Sequence, residues 1–140
     1  MAATIRLEVV TPNGLAVRTE TDQVEAPSVF GEFGVLPGHL PLLAAVRAGV
    51  VRYRHAGKIS LLAVEGGFAE AGPDRVTVLT QRAIPAEEVD VAAVRTERDD
   101  VQHRIDAFKG EGTNDVAELE RERDWLNAQL DAAREAGRAG

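Results

Sequence analysis

The side chains in this 140-residue sequence that could do chemistry are histidines at 39, 55 and 103, serines at 28 and 60, and the acidic pairs Glu87 with Glu88 and Asp99 with Asp100. The histidines are too isolated for a ligand spacing. With no cysteine at all, thiol nucleophiles, zinc ribbons and disulfide scaffolds are excluded. Neither serine sits in Gly-x-Ser-x-Gly, and no His or Asp is placed by a nucleophile signature. The acidic pairs fall on a predicted helix, where they read as a solvated outer face rather than an acid/base couple. The densest special stretch is Gly31, Glu32, Phe33, Gly34, Val35, Leu36, Pro37, Gly38 and His39. As a phosphate cradle it fails, because no Gly-Lys-Ser/Thr follows and no helix pattern opens behind it. Its glycines permit positive φ, and two readings stay open: a locally packed loop or an ordered binding surface. His39 has no spaced partner and reads as a structural or interface histidine. No catalytic residue, cofactor or metal is expected.

The elements that must position these residues differ along the chain. Residues 1–85 hold eight basic and eight acidic side chains, all six prolines and nine of the thirteen glycines, while residues 86–140 hold eight basic and fifteen acidic. The whole net charge of −7 therefore lies in the second segment. The expected division is a domain over 1–85 and a second unit over 86–140. Ile5, Leu7 and Val9, then Leu15, Val17 and Thr19, alternate with polar or small residues around a turn at Pro12-Asn13-Gly14. Hairpins are predicted over 50–64, turning at Ala56-Gly57, and over 66–80, turning at Gly72-Pro73-Asp74. Many short strands without intervening helices imply an antiparallel sandwich or barrel.

After Pro85 the period changes. Val91, Val94, Arg98, Val101, Ile105 and Phe108 form one helical stripe, and Val116, Leu119, Arg123, Leu126, Leu130 and Ala133 form another. Gly110 is suited to end the first helix and Thr113 or Asn114 to cap the second. An antiparallel helical hairpin folding back about Gly112 results, with helices of roughly 22 residues and an arginine in each seam, Arg98 and Arg123. With one narrow apolar stripe per helix, such a pair is expected to be marginally stable and able to change partners. Trp125 stands beside the Leu126 stripe, either covering the hairpin edge or marking a partner face. No apolar run approaches the ~20 residues of a spanning helix, and no leader opens the chain, so a soluble protein without membrane insertion is expected. The acidic balance argues against nucleic acid as a partner.

Three stretches carry a resemblance: Leu7 to Pro12 (LEVVTP), Gly31 to Leu42 (GEFGVLPGHLPL), and Gly66-Gly67-Phe68 followed by Val76 to Leu79 (VTVL). Their order and spacing over most of residues 4–85, with a helical hairpin after them, resemble the epsilon subunit family of bacterial F-type ATP synthases. The resemblance implies a ten-stranded N-terminal sandwich at the foot of the central stalk, against the gamma subunit and the c-subunit ring, and a regulatory hairpin that reaches the catalytic beta and alpha subunits when extended. It implies a non-catalytic rotor subunit of a proton-driven enzyme, peripheral on the cytoplasmic face of a bacterial membrane. The partner-binding set it suggests is Gly31 through His39, with Glu32 and His39 matching the family's loop positions. The regulatory hairpin seam would involve Arg98, Arg123, Trp125 and Leu126. An alternative is a nucleotide-sensing hairpin that binds ATP. Members that do so carry Ile/Leu-Asp-x-x-Arg-Ala, and here the matching stretch runs Val89, Asp90, Val91, Ala92, Ala93, Val94, with alanine where the phosphate-binding arginine stands. Arg95 is turned about 200° from that direction on a helix. Residues 115–140 carry four arginines against seven acids, so attraction of an extended helix to an acidic catalytic segment is expected to be weak.

Overall fold

The computed structural model describes residues 3–108 and 113–138, the side chains of Thr113 and Asn114 excepted. Ten strands come first: β1 (Ile5–Thr11), β2 (Gly14–Thr21), β3 (Gln23–Ser28), β4 (Gly31–Val35), β5 (Leu42–Val46), β6 (Gly49–His55), β7 (Lys58–Val64), β8 (Gly67–Ala71), β9 (Arg75–Thr80) and β10 (Ala83–Pro85). A 3-10 turn (Ala86–Glu88) leads into α1 (Val91–Asp106) and α2 (Thr113–Glu135). The strands run in the order β10-β7-β6-β3-β5-β8-β9-β1-β2, with β4 hydrogen-bonded to β3. Every neighbouring pair is antiparallel except β1 and β9, which run parallel with Leu7 beside Val76.

The alternation of β1 explains its place. Ile5, Leu7 and Val9 are fully buried while Arg6 is exposed, and they meet Val24, Val35, Val51, Leu62, Val64, Val76 and Val78 in one aliphatic core. At the Ala56-Gly57 turn both residues have positive φ, 52° and 81°, the combination a two-residue type I′ hairpin needs. Gly67 is dictated by close approach: a Cβ there would lie 1.9 Å from the Leu79 carbonyl oxygen of β9.

The strand pair β6 and β7 is buried on both sides. Val51, Leu62 and Val64 face the sandwich core, while Val50 and Ala63 face α2. Trp125, Ala128 and Ala132 of α2 pack on that outer face, together with Ala86, Ile84 and Leu61. On its other side α2 meets α1 through Val94, Val101, Leu126, Leu130 and Ala133, with Ile105 and Leu119 at the margin. The hairpin is thus not an isolated pair on one stripe each. α2 has a second buried face, and the sandwich supplies its partner.

α1 is also shorter than the roughly 22 residues expected. Residues 86–88 form the 3-10 turn, so the helix starts at Val91 and ends at Asp106 after 16 residues. Asp90 is its N-cap, its carboxylate accepting from the Ala93 amide at 3.2 Å, and Val89 and Val94 join the same cluster on either side of the cap as a hydrophobic staple. α2 ends in a Schellman motif: Gly137 has φ 77°, its amide donates to the Arg134 carbonyl, and the Arg138 amide reaches the Ala133 carbonyl at 2.8 Å. The expected turn about Gly112 and the side-chain caps from Thr113 or Asn114 lie outside the described residues and side chains, as does the closing role of Gly110.

Candidate functional site

The glycine-rich stretch is half strand, half loop. Residues 31–35 pair with β3 from Gly31 opposite Ser28 to Val35 opposite Val24, which corrects the expectation of a loop throughout. Phe33 and Val35 alternate inward, Val35 fully buried and Phe33 packed on the same core. Glu32 and Gly34 are left on the outside. The turn that enters β4 is fixed by Ser28, whose Oγ donates to the Gly31 carbonyl at 2.7 Å and accepts from the Phe30 amide at 3.1 Å. Gly31 holds φ 118° there. Past the strand, Gly38 takes φ 84° and its amide donates to the Pro73 carbonyl at 2.7 Å, tying the loop to the β8 to β9 turn. The His39 amide closes the turn on the Leu36 carbonyl, and its ring Nδ1 lies 2.5 Å from the Leu40 carbonyl, which it meets as a donor in that tautomer.

This construction holds the segment still while leaving its outside uncovered. Phe30, in the turn before β4, is 99% exposed, and Val29, Leu36, Leu40 and Leu43 are also exposed. Exposed apolar side chains gathered on an ordered segment are a feature of surfaces that meet other proteins. Glu32 lies 3.3 Å from Arg52 Nη1 and 3.7 Å from Arg47 Nη2.

The second candidate region is the contact of the hairpin with the sheet. Trp125 is only 6% exposed and lies under the Arg82 guanidinium, whose carbon is 5.1 Å from the ring centroid. Arg82 donates from Nε and Nη2 to Glu65 at 2.9 and 3.2 Å, and from Nη2 to Glu122 of α2 at 2.7 Å. Those hydrogen bonds to Glu65 push the Arg82 pKa well up against the opposing effect of burial, and Glu122 adds to the rise. Arg138 donates to the Ala86 carbonyl at the far end of the helix. Arg52 is bonded to Glu135 of α2, which raises its pKa in the same way.

The residues expected on the hairpin seam are therefore distributed over three places. Leu126 lies in the α1 to α2 seam, and Arg98 bridges it by donating to Asn127 Oδ1 at 3.0 Å while its Nε holds Asp99 at 2.8 Å. Arg123 stays on its own helix, with Asp124 at 3.3 Å and Glu120 at 3.9 Å. Trp125 faces the sheet. Arg82, Arg52 and Arg138 were not singled out in the sequence, and only a strand-by-strand register could have brought the first two under α2. Of the nucleotide-type stretch, Asp90 is occupied as a helix cap, and Ala93 and Arg95 are exposed. Among the described residues, His39, His55 and His103 lie on separate elements, no group of His, Asp and Glu could hold a metal ion, and no helix is long and apolar enough to cross a membrane.

The fold defines the class: a β-sandwich with a helical hairpin docked on the outer face of its sheet. The family described as "ATP synthase, Delta/Epsilon chain, beta-sandwich domain" matches residues 4–86, more than half of the chain. The ATP synthase epsilon chain of Magnetococcus marinus is 42% identical over 132 residues, covering 94% of this chain and 96% of that one. The ATP synthase epsilon chain of Anoxybacillus flavithermus is 42% identical over 104 residues, covering 74% and 78%. Among solved structures, a chain in the cryo-EM structure of the Euglena gracilis mitochondrial ATP synthase (OSCP/F1/c-ring) superposes with a TM-score of 0.77 at 20% identity, covering 96% of this chain and 81% of that one, a likeness of fold. The chain belongs to the ATP synthase delta/epsilon family. Within it the chain is of the epsilon type, a non-catalytic subunit of the ATP synthase complex.

Proposed function

We propose that the chain is a central-stalk rotor component in which the sandwich couples the gamma subunit and the c-subunit ring, and the helical hairpin is a regulatory layer that can leave the sheet. The observation that carries the first half is the 31–39 segment, ordered by Ser28 and Pro73 yet exposing Glu32 and Leu36 among uncovered apolar side chains. Such a pre-ordered surface loses little conformational entropy on docking. The main core draws on residues from 5 to 83, which supports residues 1–85 as the autonomous coupling unit and 86–140 as the regulatory one. A peripheral position on the cytoplasmic face of a bacterial membrane follows from that role. Extension toward the catalytic alpha and beta subunits would release Trp125 and the Arg82, Arg52 and Arg138 contacts together.

The test is reconstitution with gamma and the c ring. Glu32→Lys is expected to weaken binding of the full chain to the isolated ring about three- to tenfold, more at low salt than at high. Unchanged affinity at both salts would contradict the assignment. ATP binding measured by calorimetry on the full chain is expected to be weak or absent, because Asp90 caps α1 and Ala93 offers no cation; micromolar binding would instead favour nucleotide sensing.

A further inference from the structure

Arg52, on β6, serves two carboxylates that belong to different halves of the molecule. Its Nε donates to Glu135 Oε2 at 2.7 Å and its Nη2 to Glu135 Oε1, a bidentate pair with the last residue of α2. Its Nη1 donates to Glu32 Oε1 at 3.3 Å, on β4 in the exposed loop segment. The sheet makes this possible because β3 lies between β4 and β6: Glu25 stands opposite Gly34 on one side and opposite Arg52 on the other. The guanidinium therefore spans a strand to reach Glu32, while Glu25 is taken up by Gln23, which donates to it at 3.3 Å. Arg47 also approaches Glu32, at 3.7 Å. All three members of the shared contact are partly shielded, with Arg52 the least exposed.

We infer that Arg52 is a shared latch that couples docking of a cationic partner side chain on Glu32 to the grip of the sheet on the end of α2. This rests on the reading of residues 31–39 as a partner-binding surface. Two carboxylates on one guanidinium repel each other and divide its charge. A lysine or arginine presented by the docked partner neutralises Glu32, ends that repulsion and leaves Arg52 to Glu135 alone, so the helix end is held more firmly. The coupling is reciprocal. When the hairpin leaves, Arg52 turns wholly to Glu32 and competes with the partner's cation, so an extended hairpin loosens the loop's contact.

Hydrogen exchange on the intact chain at low salt tests the latch without any partner. Glu32→Gln imitates neutralisation and is expected to slow exchange of the amides at 132–138 about two- to fivefold, the range of a partly exposed ion pair. In a Glu135→Gln background the same change is expected to do nothing there. Amides of β1 and β9, unaltered in all variants, report that the sandwich is intact. Unchanged or faster exchange in Glu32→Gln, or an equal effect in both backgrounds, would overturn the latch. Assembly with gamma and the c ring separates the two claims. Slower exchange at both 31–39 and 132–138 in wild type, with the second lost in Glu135→Gln, is the expected result. Protection at 31–39 with no change at 132–138 overturns the coupling. No protection at 31–39 overturns the partner reading and the docking half of the inference, while the shared guanidinium is still decided by the isolated chain.

Discussion

The two faces of β6 and β7 are buried by different material. Inward, Val51, Leu62 and Val64 interlock with side chains from six further strands, all fully or nearly fully buried. Outward, Val50 and Ala63, with Ala86, Ile84 and Leu61 beside them, meet a single helix through two alanines and one tryptophan, and polar contacts from Arg82, Arg52 and Arg138 add to the grip. Burial is complete on both faces, but its distribution is not. The inner layer spreads its stabilisation over many contacts that cannot be lost one at a time. The outer layer concentrates it in a few groups, and on the proposed function losing them would detach α2 while leaving the aliphatic core unopened. A layer built this way suits a role that needs the hairpin to come and go.

The comparison breaks most sharply at Trp125. Trp125→Ala is expected to remove about 3–5 kcal/mol of hairpin docking, the usual range for a buried tryptophan. Limited proteolysis should then cut at Arg121 or Arg123 while the main thermal transition of the sandwich persists. Loss of that transition would mean that the two layers fold as one. Leu7→Ala probes the other face and is expected to lower the stability of the whole chain by about 2–5 kcal/mol, with sandwich and hairpin signals falling together in chemical denaturation. A smaller change sharpens the picture within the hairpin. Asp90→Ala removes the α1 cap at a cost of about 0.5–2 kcal/mol, expected as faster amide exchange in the first turn of α1 with β-strand exchange unaltered.

The periodicities that were legible are the ones in which one residue type repeats on one side. The β1 alternation and the Val94, Val101, Leu126 and Leu130 stripe declared themselves for that reason. The second face of α2 did not, because Trp125, Ala128 and Ala132 lie only one or two positions from Leu126, Leu130 and Ala133, and alanine does not announce burial. A signal for it did exist: Val50-Val51 and Leu61-Leu62-Ala63-Val64 are continuous apolar runs, the pattern of strands covered on both sides. Other elements were hidden by composition. β3 contains Pro27, β4 has two glycines among five residues, and β10 is three residues long. In the site, the glycines and Phe33, Val35 and His39 could be read as an ordered surface, but the ties from Ser28 and Pro73 depend on which turns meet. The shared use of Arg52 by Glu32 and Glu135 joins residues 20 and 83 positions away and is set by sheet order, as is the parallel pairing of β1 with β9. No local pattern carries such information.

The separable outer layer is tested most directly by native-state hydrogen exchange of the intact chain across a series of low denaturant concentrations. Amides of α1 and α2 are expected to exchange through an opening of lower free energy and smaller denaturant dependence than those of β1 and β9, which should exchange only on global unfolding. If the α2 amides beside Trp125 instead merge with β9 into one opening of the same free energy and slope, the hairpin is part of a single cooperative unit and cannot act as a releasable layer.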